Sequence, residues 1–441
     1  MNKKIVIVGA GVAGINAATK LIDNGYPGNL ITIIDKGKDP HNRESAEVMC
    51  GFAGAGLFSD GKYSYLHNAV GGHLAKYCGE EKAQQLIDEG FEIIKRFHPK
   101  PEEIMYSAPL EEPEFIKPYF NLRMAPTYHI GTNYLHELGK KWYDYLIIKG
   151  VKFEWLKQID DIDFENNTIY SHTLTKNYEP HFDDCFNYYD ILIFGTGKSG
   201  IDLTQQLINK YNLKKEPKSV QIGIRMELPQ KYTQNLLDIA YDFKLYQKPN
   251  DKVSLRTFCT NAHCAFVAEE NTYGMKSYNG HSFKDESMRN NMNNFGVIME
   301  IKGIDNPFDW QKFVVNKCQI DKKGLYYSPN KTRKPSLSAE GVELNVVELE
   351  NLDIFKEAFG AYANYIINFI GDMNKVFNFG DDWGIFIPEV KFLSEEVLVN
   401  YNNLSLIDYP NIHFIGDSLS SRGIAVSAAQ GLLVGSQLIH E

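Results

Sequence analysis

The apolar positions of this 441-residue chain fall into short interior-type runs separated by helical stretches. Residues 4–8 are rich in β-branched side chains, the composition of a short buried strand. Gly9-Ala10-Gly11-Val12-Ala13-Gly14 follows at once. Ile15 to Asn24 then reads as a helix, with small residues Ala17 and Ala18 on its packing face and Gly25 at its end. A second strand, Leu30 to Ile34, stops at Asp35. From 63 to about 125 the pattern is mostly helical, with loops near Pro99, Pro101 and Pro113. Tyr134 to Lys149 reads as a helix closed by Gly150, and Val151 to Tyr170 alternates as strands around a turn at Glu165-Asn166-Asn167. A further buried strand, Tyr189 to Phe194, runs into Gly195-Thr196-Gly197. Strand-like runs recur through 219–300, including Val220 to Met226 and Phe295 to Ile301, and a long helix is expected over about 350–377. The chain closes with a strand, Ile412 to Ile415, then Gly416-Asp417, a loop and a helix from about Ile424.

Strand, glycine turn, helix and a second strand ending in an acid form the unit that binds dinucleotides. Gly9 permits the tight turn, Gly11 lets a pyrophosphate approach the backbone, and Gly14 lets helix and strand pack closely. The amides of Val12 and Ala13 open the helix and offer free N–H groups to a phosphate. Asp35 lies 21 residues after Gly14, where an acid bonds ribose hydroxyls, with Lys36 beside it. NAD and FAD both use this unit. The far end of the chain favours FAD: Gly416-Asp417 follows an apolar strand, and Arg422-Gly423-Ile424 opens a helix that would point its positive end at a flavin. Gly195, Thr196 and Gly197 fit a re-entry of the chain into the same domain.

The expected fold is therefore α/β. A Rossmann-like FAD-binding domain is assembled from both chain ends (1–215, with a helix and β-meander in 130–190, and 385–441). A mixed α+β substrate domain is inserted over 216–384.

Acidic residues number 56 against 46 basic ones, a net charge of −10, which disfavours nucleic-acid binding and a basic membrane-surface helix. No run of eighteen apolar residues occurs, so no membrane span is expected. Lys3 and Lys4 before an apolar run have the look of a signal peptide, but the glycines at 9, 11 and 14 favour a strand and turn. The six cysteines include no Cys-x-x-Cys pair, which points to a reducing, cytoplasmic setting. Neither a metal-ligand spacing nor a serine hydrolase elbow stands out.

The segment from Gly51 to Lys62 holds four more glycines, Gly51 included, interleaved with Phe52, Leu57 and Phe58. Such a segment allows close backbone approach to a flat ligand, and Gly54, Ala55, Gly56, Ser59 and Asp60 are its candidate flavin contacts. Ala53 to Lys62 is similar to a Gly-Gly-Ala-Gly-x-Phe-Ser-Asp-Gly-Lys segment of the bacterial FAD-dependent (NAD(FAD)-utilising) dehydrogenase family. The chain also resembles that family, in order, at His129 to Leu135, at Gly223 to Gln230 and, in part, at Arg256 to Cys264. The resemblance implies a flavoprotein dehydrogenase. It departs from the family pattern at Asn133, Leu228, Asn261, His263 and Cys264, so a mechanism that needs the family's groups there is in doubt.

These features lead to the expectation of an FAD-dependent oxidoreductase that moves a hydride between a small-molecule substrate and flavin N5, with NADH or NADPH as an optional transient electron donor. Arg225, Glu227 and Ser282 are the expected substrate-side groups. Lys62 is placed near the ring, and His263 is a candidate for proton transfer. Cys259 and Cys264 lie in the inserted region, which speaks against a redox disulfide served by the flavin. The alternatives are an FAD-dependent monooxygenase, a tRNA-modifying flavoprotein and a non-catalytic FAD-binding sensor.

Overall fold

The computed structural model describes residues 3–439 except 45–48, 60, 68–73, 108–110, 124–125, 240–242, 264, 273–274, 283–289, 321–322, 337–343, 347–348, 392–394 and 420–422. The chain divides into two compact units, one of 1–108, 125–216 and 395–441, the other of 109–124 and 217–394.

The first unit is built on a parallel sheet. Strand β1 (Ile5–Val8) lies between β2 (Ile31–Ile34) and the strand Ile191–Phe194, with Lys152–Glu154 and Ile412–Phe414 at the two edges. Numbered by chain position within this sheet, the order is 3-2-1-4-5, that of a dinucleotide-binding sheet. The residues of β1, β2 and Ile191–Phe194 are all buried, as β-branched runs covered on both faces must be. Helix α1 (Val12–Asp23) returns the chain from β1 to β2, and the closing helix Ile424–Gln437 packs along it. Their contact is set by a missing side chain: a Cβ on Gly431 would stand 2.1 Å from the Ala13 carbonyl oxygen. Strands Lys157–Asp163, Thr168–Leu174 and Pro180–Tyr188 form an antiparallel meander.

The stretch expected to be mostly helical over 63–125 is only partly so. Leu74–Cys78 and Glu80–Phe97 are helices. Pro99 and Pro101 then end the helical spacing, and the short strands Met105–Ser107 and Thr127–His129 pair in a small sheet with Lys62–Ser64.

The second unit holds an eight-stranded sheet whose central strands are Gly384–Lys391, Val220–Pro229, Met292–Ile301 and Val253–Asn261. Gly384–Lys391 pairs with Val220–Pro229, so it belongs here, and the first unit resumes at Glu395 rather than at 385. Asn121–Arg123 adds the edge strand beyond Lys244–Gln247. The helix expected over 350–377 is two helices, Leu349–Phe359 and Ala363–Phe377, separated by a tight turn at Gly360–Tyr362. Among the described residues no helix is long and apolar enough to cross a membrane.

Candidate functional site

The carboxyl ends of the first unit's parallel strands carry the turns that sequence singled out, in the part of an open α/β sheet where ligands bind. Gly9 has φ +105°, and a Cβ there would lie 2.3 Å from the Gly195 carbonyl oxygen, so the first turn presses against the turn after Ile191–Phe194. A Cβ on Gly14 would lie 2.1 Å from the Gly9 carbonyl oxygen, the close helix–strand packing expected of it. Gly11 is different. A Cβ there meets nothing within 4 Å, so its open face leaves room for a group to reach the start of α1.

Asp35 reaches back into this turn. Its Oδ2 accepts the Ala10 N–H at 2.8 Å, and its Oδ1 accepts the N–H groups of Gly37 and Gly51 at 2.7 Å each. A carboxylate has about four acceptor positions, so Oδ2 retains one for a further donor. Gly9, Asp35, Lys36, Lys157 and Thr196 help to line a cavity of ≈ 50 Å³. Lys36 ties two of its walls together, its Nζ donating to the Ser199 carbonyl at 3.2 Å. Cys50 adjoins these groups, and burial pushes its thiol above the usual range, while Lys36 opposes the shift.

The closing segment meets the same edge. The Gly416 N–H donates to Gln430 Oε1 at 2.7 Å, and Gln430 is fully buried in the closing helix. Thr196 Oγ1 and Ser418 Oγ lie 3.2 Å apart, joining the turn of Gly195-Thr196-Gly197 to that of Gly416-Asp417. Gly423 precedes Ile424, the first residue of the closing helix.

The glycine-rich segment is anchored on the glycine turn. Ala53 N–H donates to the Ala10 carbonyl at 2.8 Å, and Gly11 and Ala53 form an isolated parallel bridge. A Cβ on Gly56 would be 2.7 Å from Val12 Cγ2, and one on Gly54 would be 3.5 Å from Gly11 Cα. Ala55 lies with them in the short helix Gly54–Phe58, and Ser59 Oγ closes it by donating to the Gly56 carbonyl at 2.9 Å. Phe52 is fully buried, with its ring edge against Tyr143. Sequence reasoning missed Arg43, whose buried guanidinium donates to the Phe52 and Gly54 carbonyls, the latter at 3.0 Å, and lies 4.6 Å over the Phe58 ring. His136 meets the same ring edge-on at 4.9 Å. Burial, with help from Arg43, holds its imidazole below the usual histidine range. Lys62 lies on a strand paired with Thr127–His129.

The candidates of the second unit are placed differently. Arg225 and Glu227, expected to face a substrate, are both 0% exposed. Arg225 donates to both oxygens of Glu389, at 2.9 and 3.0 Å, and to the Cys259 carbonyl and Asn294 Oδ1. Lys391 Nζ lies 2.8 Å from the same Glu389. Glu227 accepts from the Tyr326 hydroxyl at 2.9 Å and lies 3.5 Å from Arg333 Nε; burial raises its pKa and Arg333 opposes the rise. Alternation on a half-solvated strand would have turned Arg225 and Glu227 outward, but this strand is covered on both faces. A Cβ on Gly280 of the overlying hairpin would be 2.4 Å from Arg225 Nη1. These are interior ion pairs rather than substrate ligands. His263 is exposed at φ +67°, with its Nδ1 3.0 Å from Gln230 Nε2. Ser282 ends the strand Met275–Ser282, and its side chain, with Asp60, Cys264 and Arg422, lies outside the described residues.

No family model matches the chain, and no curated protein matches it. Among solved structures it is similar to a flavoprotein/dehydrogenase from Cytophaga hutchinsonii, at 11% identity and a TM-score of 0.42, over 100% of this chain and 79% of that one. It is similar also to 2,6-dihydroxypyridine-3-hydroxylase from Arthrobacter nicotinovorans, at 11% identity and a TM-score of 0.42, over 100% of this chain and 84% of that one. Likeness at this level says nothing of chemistry.

Proposed function

We propose that the protein is an FAD-dependent oxidoreductase acting on a small-molecule substrate. The observation that carries this reading is the convergence, at one edge of a 3-2-1-4-5 parallel sheet, of the Gly9–Gly14 turn with the turns at Gly195 and Gly416, with open space at Gly11. The returning strand and helix favour FAD over NAD, because a plain NAD unit has no use for a closing segment packed on α1 at Gly431. The resemblance of the 53–62 and 129–135 segments to flavoprotein dehydrogenases supports the same reading.

In this reading the N–H groups opening α1 hold the pyrophosphate, and the spare acceptor position of Asp35 takes a ribose hydroxyl. Lys36 and Thr196 border the adenosine, Asp417 bonds the ribitol, and the start of the closing helix lends its positive end to the flavin. When bound, FAD supplies hydride exchange at its N5 atom. Asp35 joins the two glycine segments through Ala10 and Gly51, and Arg43 holds the second through the Phe52 and Gly54 carbonyls.

The test is reconstitution. The purified protein is expected to be yellow, or to become so with added FAD, and to release FAD rather than FMN on denaturation. A protein that takes up no FAD refutes the reading. Bleaching of the flavin absorbance by NADH, NADPH or a member of a metabolite panel would identify the reductant.

A further inference from the structure

Four residues share one face of the meander in the first unit. Lys157 pairs with Thr173, and Cys185 pairs with Ser171. Thr173 and Ser171 stand two apart on the central strand, so the pleat turns both pairs to the same side. The long Lys157 chain crosses that strand, and its Nζ lies 2.7 Å from Cys185 Sγ. The other polar contacts of that sulfur, to the Asp183 carbonyl and Oδ2, are 3.8 Å long. The ammonium group is fixed in place: it donates to Thr173 Oγ1 at 2.7 Å, and Thr173 donates through its hydroxyl and its amide to Asp183, at 2.7 and 2.9 Å. Ser171, opposite Cys185, is 3% exposed, and its hydroxyl has no hydrogen-bond partner. A buried hydroxyl in that condition is rare and calls for a partner. Cys185 is itself partly exposed, so a small oxidant can reach it.

We propose that Lys157 and Cys185 form a redox cross-linking site, at which hydrogen peroxide places one oxygen atom between Nζ and Sγ. In the first step the sulfur takes an oxygen from one peroxide. An S–O bond forms, the O–O bond breaks, the thiol becomes a sulfenic acid and one water leaves. In the second step the sulfenic oxygen bonds to the nitrogen. The Nζ ammonium first releases one proton to solvent; the hydrogen of that S–OH and one hydrogen of the resulting neutral amine then pass, with two electrons, to a second peroxide, which leaves as two waters. Sulfur and nitrogen are oxidised and both peroxides are reduced. The observed separation suits a one-oxygen bridge without movement of either strand, and the Ser171 hydroxyl stands at the paired position, where it can donate to the added oxygen. Lys157 also lines the cavity beside Gly9, Asp35 and Thr196, so the bridge pins one wall of that cleft. The assignment of that cleft to a cofactor rests on the function proposed above; the cross-link does not.

The experiment is a peptide map of the full chain after peroxide treatment, digested without reductant. The expected result is a joined pair of peptides, heavier than their sum by one oxygen less two hydrogens, with fragments placing the link at Lys157 and Cys185. A thiol reductant should release it, and Cys185→Ser and Lys157→Arg should each lack it. Cys185 carrying its own oxygens while the Lys157 peptide stays unmodified overturns the proposal. So does a link that lacks the added oxygen. The wild-type map decides even where a variant fails to fold, and it needs no flavin, so failed FAD uptake leaves this result standing.

Discussion

At the scale of single residues, Gly11 separates binding from folding. Gly11 has φ −66° and an open face, so Gly11→Ala should leave thermal stability unchanged or raise it by about 0.4–1 kcal/mol, while its methyl group intrudes where FAD would bind. A titration showing full FAD affinity in that variant would remove the pyrophosphate from this turn. Asp35 does both jobs at once. Asp35→Ala should weaken FAD binding on the order of 10- to 150-fold, the worth of about 1.5–3 kcal/mol for a hydrogen bond to a charged group. It should also lower the melting temperature, because the amides of Ala10, Gly37 and Gly51 lose their acceptor. That second effect was not legible in the sequence, where an acid at the end of a strand reads only as a ribose ligand. His136 gives a pH signature. Its folded-state pKa is depressed by burial and by Arg43, so the neutral form is favoured in the native protein. Its contribution is complete above the unfolded value near 6.5 and is lost as pH falls below it, since the unfolded chain takes up the proton first. His136→Gln should flatten the fall in stability between pH 7 and pH 5 in urea titrations, and an unchanged slope would assign that fall to other groups.

At the scale of elements, the sequence is most readable where the requirement is local. A β-branched run followed by glycines and small residues announced β1, the turn and α1, because each constraint acts within a few positions. The region from 63 to 125 was less readable. Its short strands are specified by pairing with distant partners, Lys62–Ser64 with Thr127–His129, and three-residue strands carry almost no period of their own. Gln430 is an intermediate case: an amide in the middle of the alanines, leucines and glycines of the closing helix is a visible anomaly, and it holds the Gly416 amide. The fit of that helix on α1 depends on Gly431. Gly431→Ala should cost about 1–3 kcal/mol by overpacking, since its methyl group would meet backbone rather than a movable side chain. Because Gly416 and Gly423 flank the same helix, FAD retention should fall with it. A Gly431→Ala protein that melts as the wild type does would show that the two helices can part without cost.

At the scale of the whole molecule, the sequence reading turned charged residues of the inserted stretch toward a substrate, and the structure buries them. Arg225 and Glu227 looked like ligands because charged residues on an apolar strand usually have a purpose. Their purpose here is interior, and the partner that shows it, Glu389, stands 164 positions away from Arg225. No local pattern connects the two. The arrangement is unequal, and the inequality can be measured. Among the described residues, Glu389 is an acid shared by two cations, Arg225 at 0% and Lys391 at 6% exposure. Arg225→Gln leaves Glu389 still paired with Lys391, and should cost roughly the 3–5 kcal/mol of breaking one buried pair. Glu389→Gln leaves two buried cations facing each other across a neutral amide. The guanidinium cannot shed its charge, because it stays protonated at any accessible pH. The loss from Glu389→Gln should therefore exceed that from Arg225→Gln, and replacing Lys391 as well, in Glu389→Gln with Lys391→Met, should restore part of it. Denaturant midpoints of the four proteins decide the matter. If Arg225→Gln proves the more damaging, the acid is not the hub, and the arginine's bonds to the Cys259 carbonyl and Asn294 hold the sheet instead.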